Sequence, residues 1–573
     1  MIFDYYQAEL DKIKQLAREF SKEYPALAPL LREQSTDPDV ERLLEGVAFL
    51  TSQIQISLDN NLLGMLDDLT QLFFPQHARP LPSTSIIQFL PKKNLAEAIN
   101  VHKGTELASI PINGIQSVFC TTADIQVEPV IIESVEFRES VQGVSVVQIN
   151  CNLCGVSLRN WRGDYLRFFI KQRWEDACNT FYVFHRLIRR IILQAEKEED
   201  YIVPLENWFP TTLYQNEPLY PLSLWENDPH SVLHEYINQP YKFLFFTLKG
   251  LNDWPKKGES IKFKICLELT EMPPWFKPLE VSNLILHAVP IINLFSYEAE
   301  PIFLDHRKPE YRIIPANTSE HPYEIFQIDK VVGYRQQEKR QIEYENVLNF
   351  NDQFNLNNKY TLHYRPGIRN NTQDIYIGFF YDFETAHPFD ETISIQLTCT
   401  NGDLPSLLDE GDITQYTDTS PENLTFTNVI PPSSNVPRLL HQRDLIWKLQ
   451  SLLAINFIHL LDKNILQEIF NLYTYEKGES YQVNMSRIQG IEIILVERTQ
   501  RLYFNEMIPG TQVTAICKPD HYKSVGDMYL FGCILNVFFG QNAPANSFTM
   551  FQLENSKTKE VWKWMPWLNN PSR

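Results

Sequence analysis

Glycine is sparse in this 573-residue chain, with 20 in all, and no two of them stand two or five residues apart. The first spacing belongs to the Gly-x-Gly-x-x-Gly turn that lets a backbone approach a dinucleotide pyrophosphate. The second belongs to the P-loop, whose backbone N–H groups cradle a phosphate. Both motifs are therefore excluded, and no nucleotide cofactor is expected. A Gly-x-Ser-x-Gly elbow is also missing, which removes the signature of hydrolases that mount a serine on a strained strand-to-helix turn. Positive charge is in deficit, since 51 Lys and Arg face 71 Asp and Glu for a formal net charge of −20. Such a balance repels a phosphate backbone, and no nucleic-acid partner is expected. The basic run Arg186, Arg189 and Arg190 reads equally well as the solvated face of a helix.

Long apolar runs are lacking as well. The charge-free stretch Met528 to Leu553 loses its continuous apolar character near Phe539, where Gln541, Asn542 and Asn546 follow. A bilayer needs about 20 apolar residues, so this chain is not expected to be a membrane protein. Its start, MIFDYYQAELDKIK, carries Asp4, Glu9 and Asp11 where a secretory signal needs a basic start and an apolar stretch. A cytoplasmic location follows as the expectation. Cysteine is limited to eight, and Cys120, Cys266, Cys399 and Cys533 sit in apolar strand-like runs, which reads as reduced, buried thiols and not as a disulfide framework.

What the chain does contain is core material, with 43% hydrophobic and 13% aromatic residues, in a length that calls for several substructures. Tyr6, Leu10, Ile13, Ala17, Phe20 and Tyr24 recur at spacings of four and three, a helical stripe that Asp4 can cap and Pro25 can end. A second helix opens at Asp37-Pro38, with an apolar face of Val40, Leu43, Leu44, Val47, Leu50, Ile54 and Leu58. A third is expected from Leu62 to Phe74. From about residue 83 to 430 the texture changes to short β-branched and aromatic runs such as SIIQF, SVVQINC, LRFFI, IKFKICLEL and TISIQLTC, which read as antiparallel strands. One helix is expected within them, from Asp176 to Lys197. The Pro-rich segment 404–437 reads as a long connection. Helical patterns return in RDLIWKLQSLLAINFIHLLD, NILQEIFNLYTY and DMYLFGCILNVFFG, interleaved with the strands GIEIILVER and QVTAICK.

The resulting expectation is an α+β chain with an N-terminal helical segment, a large, mostly antiparallel β centre and a C-terminal mixed α/β part. Its divisions are expected at 1–82, 83–280, 281–437 and 438–573. Apolar stripes with nothing obvious to cover them mark candidate partner-interface residues: Leu10, Ile13, Phe20 and Leu43 near the N-terminus, and Phe531 and Phe538 in the last helix.

No catalytic or metal-ligating set emerges. His230 and His234 stand four apart beside Glu235, but the zinc-protease order His-Glu-x-x-His needs a histidine where Asn238 stands, and Pro240 cuts the helix short; the simpler reading is a capped surface turn. Cys151 and Cys154 lack the second pair a zinc ribbon requires and read as two strand-end cysteines. Acidic neighbours such as Asp67-Asp68 and Glu198-Glu199-Asp200 read as solvated faces. His287, within NLILHAVPIINLF, reads as a core histidine.

Several segments together resemble the TssF family, the baseplate wedge subunit of type VI secretion systems. They are FDYYQAELDKIKQLAREFSKEYP, DPDVERLLEGVAFLTSQIQISLDN, LTQLFFPQHARPLPSTSIIQF, VHKGTELAS with FCTTADIQVEPV, HEYINQPYKFLFF, LHAVPIINLFSYEAEPIFLDHRKPEYRIIP, ETISIQLTCTNGDLP and GDMYLFGCILNVFFGQNAPANSFTMF. They run in family order from residue 3 to about 552, with His234 and Ile237 as mild departures and WKWMPWLNNPSR as an unfamiliar ending. The resemblance implies a structural protein without catalysis. It implies two copies of this chain on one TssG, TssE and TssK completing the wedge, and six wedges around the VgrG spike at the foot of the Hcp tube, docked to the inner-membrane complex. A wedge protein of another contractile device or phage tail is the alternative within this class. A glycan-acting enzyme, with two carboxylates set about 5 to 9 Å apart in the β centre, is the alternative outside it.

Overall fold

A computed structural model describes residues 2–23, 38–73, 79–92, 95, 97–139, 144–214, 217–221, 231–255, 257–317, 323–335, 340–348, 358–367, 373–380, 390–436, 448, 456–474, 479–503 and 506–569. The chain divides into two compact units: one holds the N-terminal helices, the other begins at Arg79. The fold is α+β with a sheet-rich centre.

In the first unit the helices Ile2–Glu23 and Pro38–Phe73 pack on each other. The first begins at Ile2, so Asp4 lies inside its opening turn and not at the expected cap. Tyr24 and Pro25, expected to close it, lie outside the described residues. Pro38 takes the first position of the second helix and Asp39 and Glu41 its first turn, where a missing N–H costs nothing and negative charge meets the positive end of the dipole. The break expected before Leu62 does not occur, and one helix of 36 residues runs through. Asn60, Asn61 and Gly64 each cost a helix only about 1 kcal/mol or less, and no proline removes a backbone donor.

The second unit is built from interwoven sheets. A six-stranded sheet has the order Ile413–Gln415, Glu106–Ser109, Val118–Thr121, Ala288–Ile292, Thr84–Pro91 and Leu424–Asn428. Its core gathers Ile87, Phe89, Leu107, Phe119, Val289, Ile291, Leu424 and Phe426. Two expectations are corrected here. The boundary placed at 280/281 is crossed, because Thr84–Pro91 pairs on one side with Ala288–Ile292 and on the other with Leu424–Asn428. The segment 404–437 is not a mere connection: Ile413, Leu424 and Phe426 fill the same core as the opening strand.

A five-stranded sheet runs Tyr201–Val203, Ile188–Ala195, Lys262–Leu269, Ser145–Leu153 and Val130–Glu139. The helix expected over 176–197 is Trp174–Tyr182, extended by one π turn, Val183–Leu187, after which Ile188–Ala195 is a strand. Ile191 and Ile192 lie opposite Leu267 and Cys266 in that sheet, so β-branched residues meet tertiary partners that outweigh local helical periodicity. Arg189 and Arg190 are thus exposed on a strand and not on a helix. A four-stranded sheet (Trp208–Pro210, Phe245–Leu248, Leu166–Ile170, Leu284–Leu286) and an eight-stranded one between Phe295 and Thr400 complete the centre.

The C-terminal sheet includes Ile491–Tyr503, Glu506–Cys517 and Ser547–Asn555, the last two parallel. Parallel neighbours need a crossover, and the helix Val525–Gln541 supplies it. Most of the helical pattern expected from Arg443 lies outside the described residues; Phe457–Leu460 and Lys463–Tyr473 are helical.

Candidate partner interface

In the helix Pro38–Phe73, Leu43, Val47, Leu50, Ile54, Leu58, Met65 and Leu69 fall within about 100° of one another around the axis. They are 42–68% exposed. Ala48, Ser52 and Thr70, on the opposite side, are fully buried. The helix therefore turns these small residues to packing within the chain and leaves the seven large apolar side chains of the stripe open, the reverse of what the hydrophobic pattern alone suggests. Asp39 borders the start of this stripe as an exposed acid, with Arg42 placed 3.6 Å from it, while Glu41 and Glu45 are exposed on the other side of the helix.

Among the interface residues expected from sequence, Leu43 lies on this open stripe at 68% exposure and Phe20 is 44% exposed. Leu10 is buried, and Ile13 is half-buried. Phe531 and Phe538 do not belong to any surface, being 1% and 0% exposed within the helix Val525–Gln541. A helix apolar all round belongs in a core, and this one packs against Trp174–Tyr182, Ser231–Asn238 and Ser547–Asn555. Ile285 and Phe295, in the apolar run around His287, are buried too.

The same region holds a buried ion pair. Arg487 Nη2 lies 2.9 Å from Asp527 Oδ1, and Asp527 also accepts from Trp174 Nε1 at 3.0 Å and Lys523 N at 3.0 Å. The guanidinium sits over the rings of Trp174 and Tyr236. With every oxygen engaged, this cluster ties the last helix to two others, and losing one member costs about 3–5 kcal/mol. Sequence spacing offered no sign of it, because Arg487 lies 40 residues and Trp174 353 residues from Asp527.

The residues weighed for metal or catalytic chemistry are packed apart. His230 lies outside the described residues. His234 is not in a surface turn: it is 2% exposed between the rings of Tyr220 and Tyr473, and burial pushes its imidazole down to about 4. Cys151 is buried in the strand Ser145–Leu153 and Cys154 follows it, both as free thiols. His287 is buried and accepts the backbone N–H of Glu128 at Nε2, 3.2 Å away. Among the described residues no group of His, Cys, Asp and Glu converges as a metal site. A cleft of about 360 Å³ is lined by Leu90, Ile131, Lys171, Leu284, His287 and Glu410. Its charged residues Lys171 and Glu410 pair with each other, and His287 is held by the backbone.

The comparisons with known proteins agree in direction. The family model described as type VI secretion system, TssF, matches residues 1–570. The type VI secretion system component TssF1 of Pseudomonas aeruginosa is 22% identical, over 98% of this chain and 98% of its own. A chain in the cryo-electron microscopy structure of the type VI secretion system TssK-TssF-TssG baseplate subcomplex superposes with a TM-score of 0.80 at 21% identity, over 92% of this chain and 98% of that one. A chain of the baseplate complex from the type VI secretion system gives 0.65 at 19% identity over 100% of both. Those two likenesses are of fold. Matched by the family model along nearly its whole length, the chain belongs to the TssF family of type VI secretion systems.

Proposed function

We propose that this chain is a non-catalytic wedge subunit of a type VI secretion baseplate, and that the open stripe of the helix Pro38–Phe73 is its docking face for TssG. The observation that carries the reading is the stripe: large apolar side chains on one side of a helix, 42–68% exposed, facing away from the small residues the chain itself covers. Burying a Leu or Ile side chain contributes about 1.5–3 kcal/mol, so a partner helix laid along it gains ample free energy for stable association. Family membership supports a structural role, and the fold shared with a chain of a TssK-TssF-TssG subcomplex supports TssG and TssK as partners. Two copies of this chain per TssG, TssE as a further wedge component, and the VgrG spike and Hcp tube as the assembled surroundings follow from the family resemblance. So do work in the cytoplasm and docking of the baseplate to the inner-membrane complex. No helix among the described residues is long and apolar enough to cross a membrane.

The test is co-purification with the cognate TssG. Leu50→Asp places a charge in the stripe at a position 63% exposed in the chain alone, so the fold should be unaffected while TssG recovery falls about tenfold or more, the equivalent of about 1.4 kcal/mol. Leu10→Asp, at a buried position, should instead disrupt the helix pair itself. Wild-type recovery of TssG by Leu50→Asp would remove the stripe as the docking face.

A further inference from the structure

The strand Ile491–Tyr503, 13 residues long, forms an edge of the C-terminal sheet. On one side it pairs with Glu506–Cys517, from Ile491 opposite Cys517 to Tyr503 opposite Glu506. Among the described residues no strand pairs with its other side. The third strand joins only from Gly510, the partner of Thr499, so beyond that point the hairpin is a two-stranded ribbon. A two-stranded ribbon is marginal in water, and a long edge carrying apolar side chains is a template for another strand. Leu495, Val496 and Leu502 are 49%, 43% and 66% exposed along it.

The order of side chains on this edge specifies what that strand is. Two antiparallel strands related by a twofold axis perpendicular to the sheet keep their faces, so two residues can lie opposite each other only when they are an even number apart in sequence. Residues 495–503 read Leu-Val-Glu-Arg-Thr-Gln-Arg-Leu-Tyr. With the axis on Thr499, Glu497 of each copy meets Arg501 of the other, Val496 meets Leu502, and Leu495 meets Tyr503. Arg498 meets Gln500, and Thr499 meets itself. Opposite charges, aliphatic pairs, an aliphatic–aromatic pair and a Thr–Thr pair are the cross-strand combinations that stabilise a sheet. Moving the axis to Arg498 or Glu497 sets that charge against its own copy, and moving it to Gln500 loses both ion pairs and puts Arg498 opposite Leu502. Within one chain the two charges have no such partner across the hairpin, because Glu497 faces Gln512 and Arg501 faces Ile508.

We propose that residues 495–503 are a contact between two copies of this chain, joined edge to edge in antiparallel register about Thr499 into one continuous sheet. The contact is separate from the helical stripe, and it goes beyond the TssG reading without depending on it.

The experiment uses the full chain, alone or co-purified with TssG. Thr499→Cys places two thiols opposite each other at the axis, within the Cα separation a disulfide spans, and mild oxidation is expected to give a linked dimer on a non-reducing gel where the wild type gives none. In that background Glu497→Arg or Arg501→Glu should each cut the linked fraction about tenfold, and the two together should restore it, since the swap re-forms both ion pairs between copies and creates none within a chain. Leu50→Asp should leave the link intact, which separates this contact from the stripe. Chains that stay unlinked, single reversals without effect, or a paired reversal no better than either alone would each overturn the proposal.

Discussion

His287 stands where the chain leaves the four-stranded sheet at Leu286 and enters the six-stranded one at Ala288, and its φ of 57° makes that turn. Its backbone N–H donates to Arg167 O and its carbonyl accepts from Phe89 N, while Nε2 accepts from Glu128 N. Burial pushes the imidazole down to about 3, and His185 and His234 to about 4. Below the ordinary histidine value of 6.5 an unfolded chain binds protons that these folded sites refuse. Their contribution to stability is therefore complete above pH 6.5 and is lost as pH falls toward 4 for His185 and His234 and toward 3 for His287. Glu128 and Glu324, whose carboxyls burial pushes up, work in the opposite sense in the lower part of that window. Thermal melts should show a smaller dependence of the midpoint on pH between 7 and 5 in His287→Asn than in the wild type. The variant should also melt lower at pH 7, having lost an acceptor while keeping a residue that tolerates positive φ. An unchanged pH slope would mean the site is not held neutral. The burial of His287 was legible from its apolar run; its hydrogen bond to a residue 159 positions away was not.

At the scale of elements, the helix Val525–Gln541 shows how close packing is specified. A Cβ on Gly526 would lie 2.2 Å from the backbone oxygen of Cys178 and 2.5 Å from Asn179 N, main-chain atoms of the helix Trp174–Tyr182 that cannot rotate aside. Gly526 N also donates to Asn179 Oδ1 at 3.2 Å. Gly526→Ala should destabilise the protein by about 1–3 kcal/mol or more, as overpacking does, in contrast to the slight gain alanine usually brings to an exposed helix position. Chemical denaturation of both proteins checks it, and a neutral result would show that the two helices are not in contact. The sequence exposed this helix as strongly apolar, and its uniform apolarity argues for burial more than for an open face. Ile188–Ala195 teaches the same lesson in reverse: a run compatible with a helix becomes a strand because Lys262–Leu269 and Tyr201–Val203 are there to pair with it.

For the whole molecule, the consequence of an open apolar stripe is dependence on a partner. An obligate interface is a core cut in half, and a net charge of −20 keeps chains apart without covering the stripe. Made alone, the chain should be heterogeneous or poorly soluble. Co-expressed with its cognate TssG it should give a discrete complex, in which native mass spectrometry is expected to count two copies of this chain per TssG. A monodisperse monomer indifferent to TssG would contradict this.

What the sequence determined by itself was local and additive: the helical stripes, the alternating strands, the proline at a helix start, the missing nucleotide motifs and the family pattern. These depend on neighbours along the chain. Tertiary structure decided which apolar surfaces are paired. Leu43 and Phe531 look alike in a hydrophobic pattern, yet one is 68% exposed and the other 1%. Residues remote in sequence make the difference, since Phe531 meets the rings of Tyr236, Phe470 and Tyr522, whereas the helix bearing Leu43 turns Ala48 and Ser52 inward instead. Burial is a property of what surrounds a side chain, and periodicity can name the face of a helix without naming what covers it.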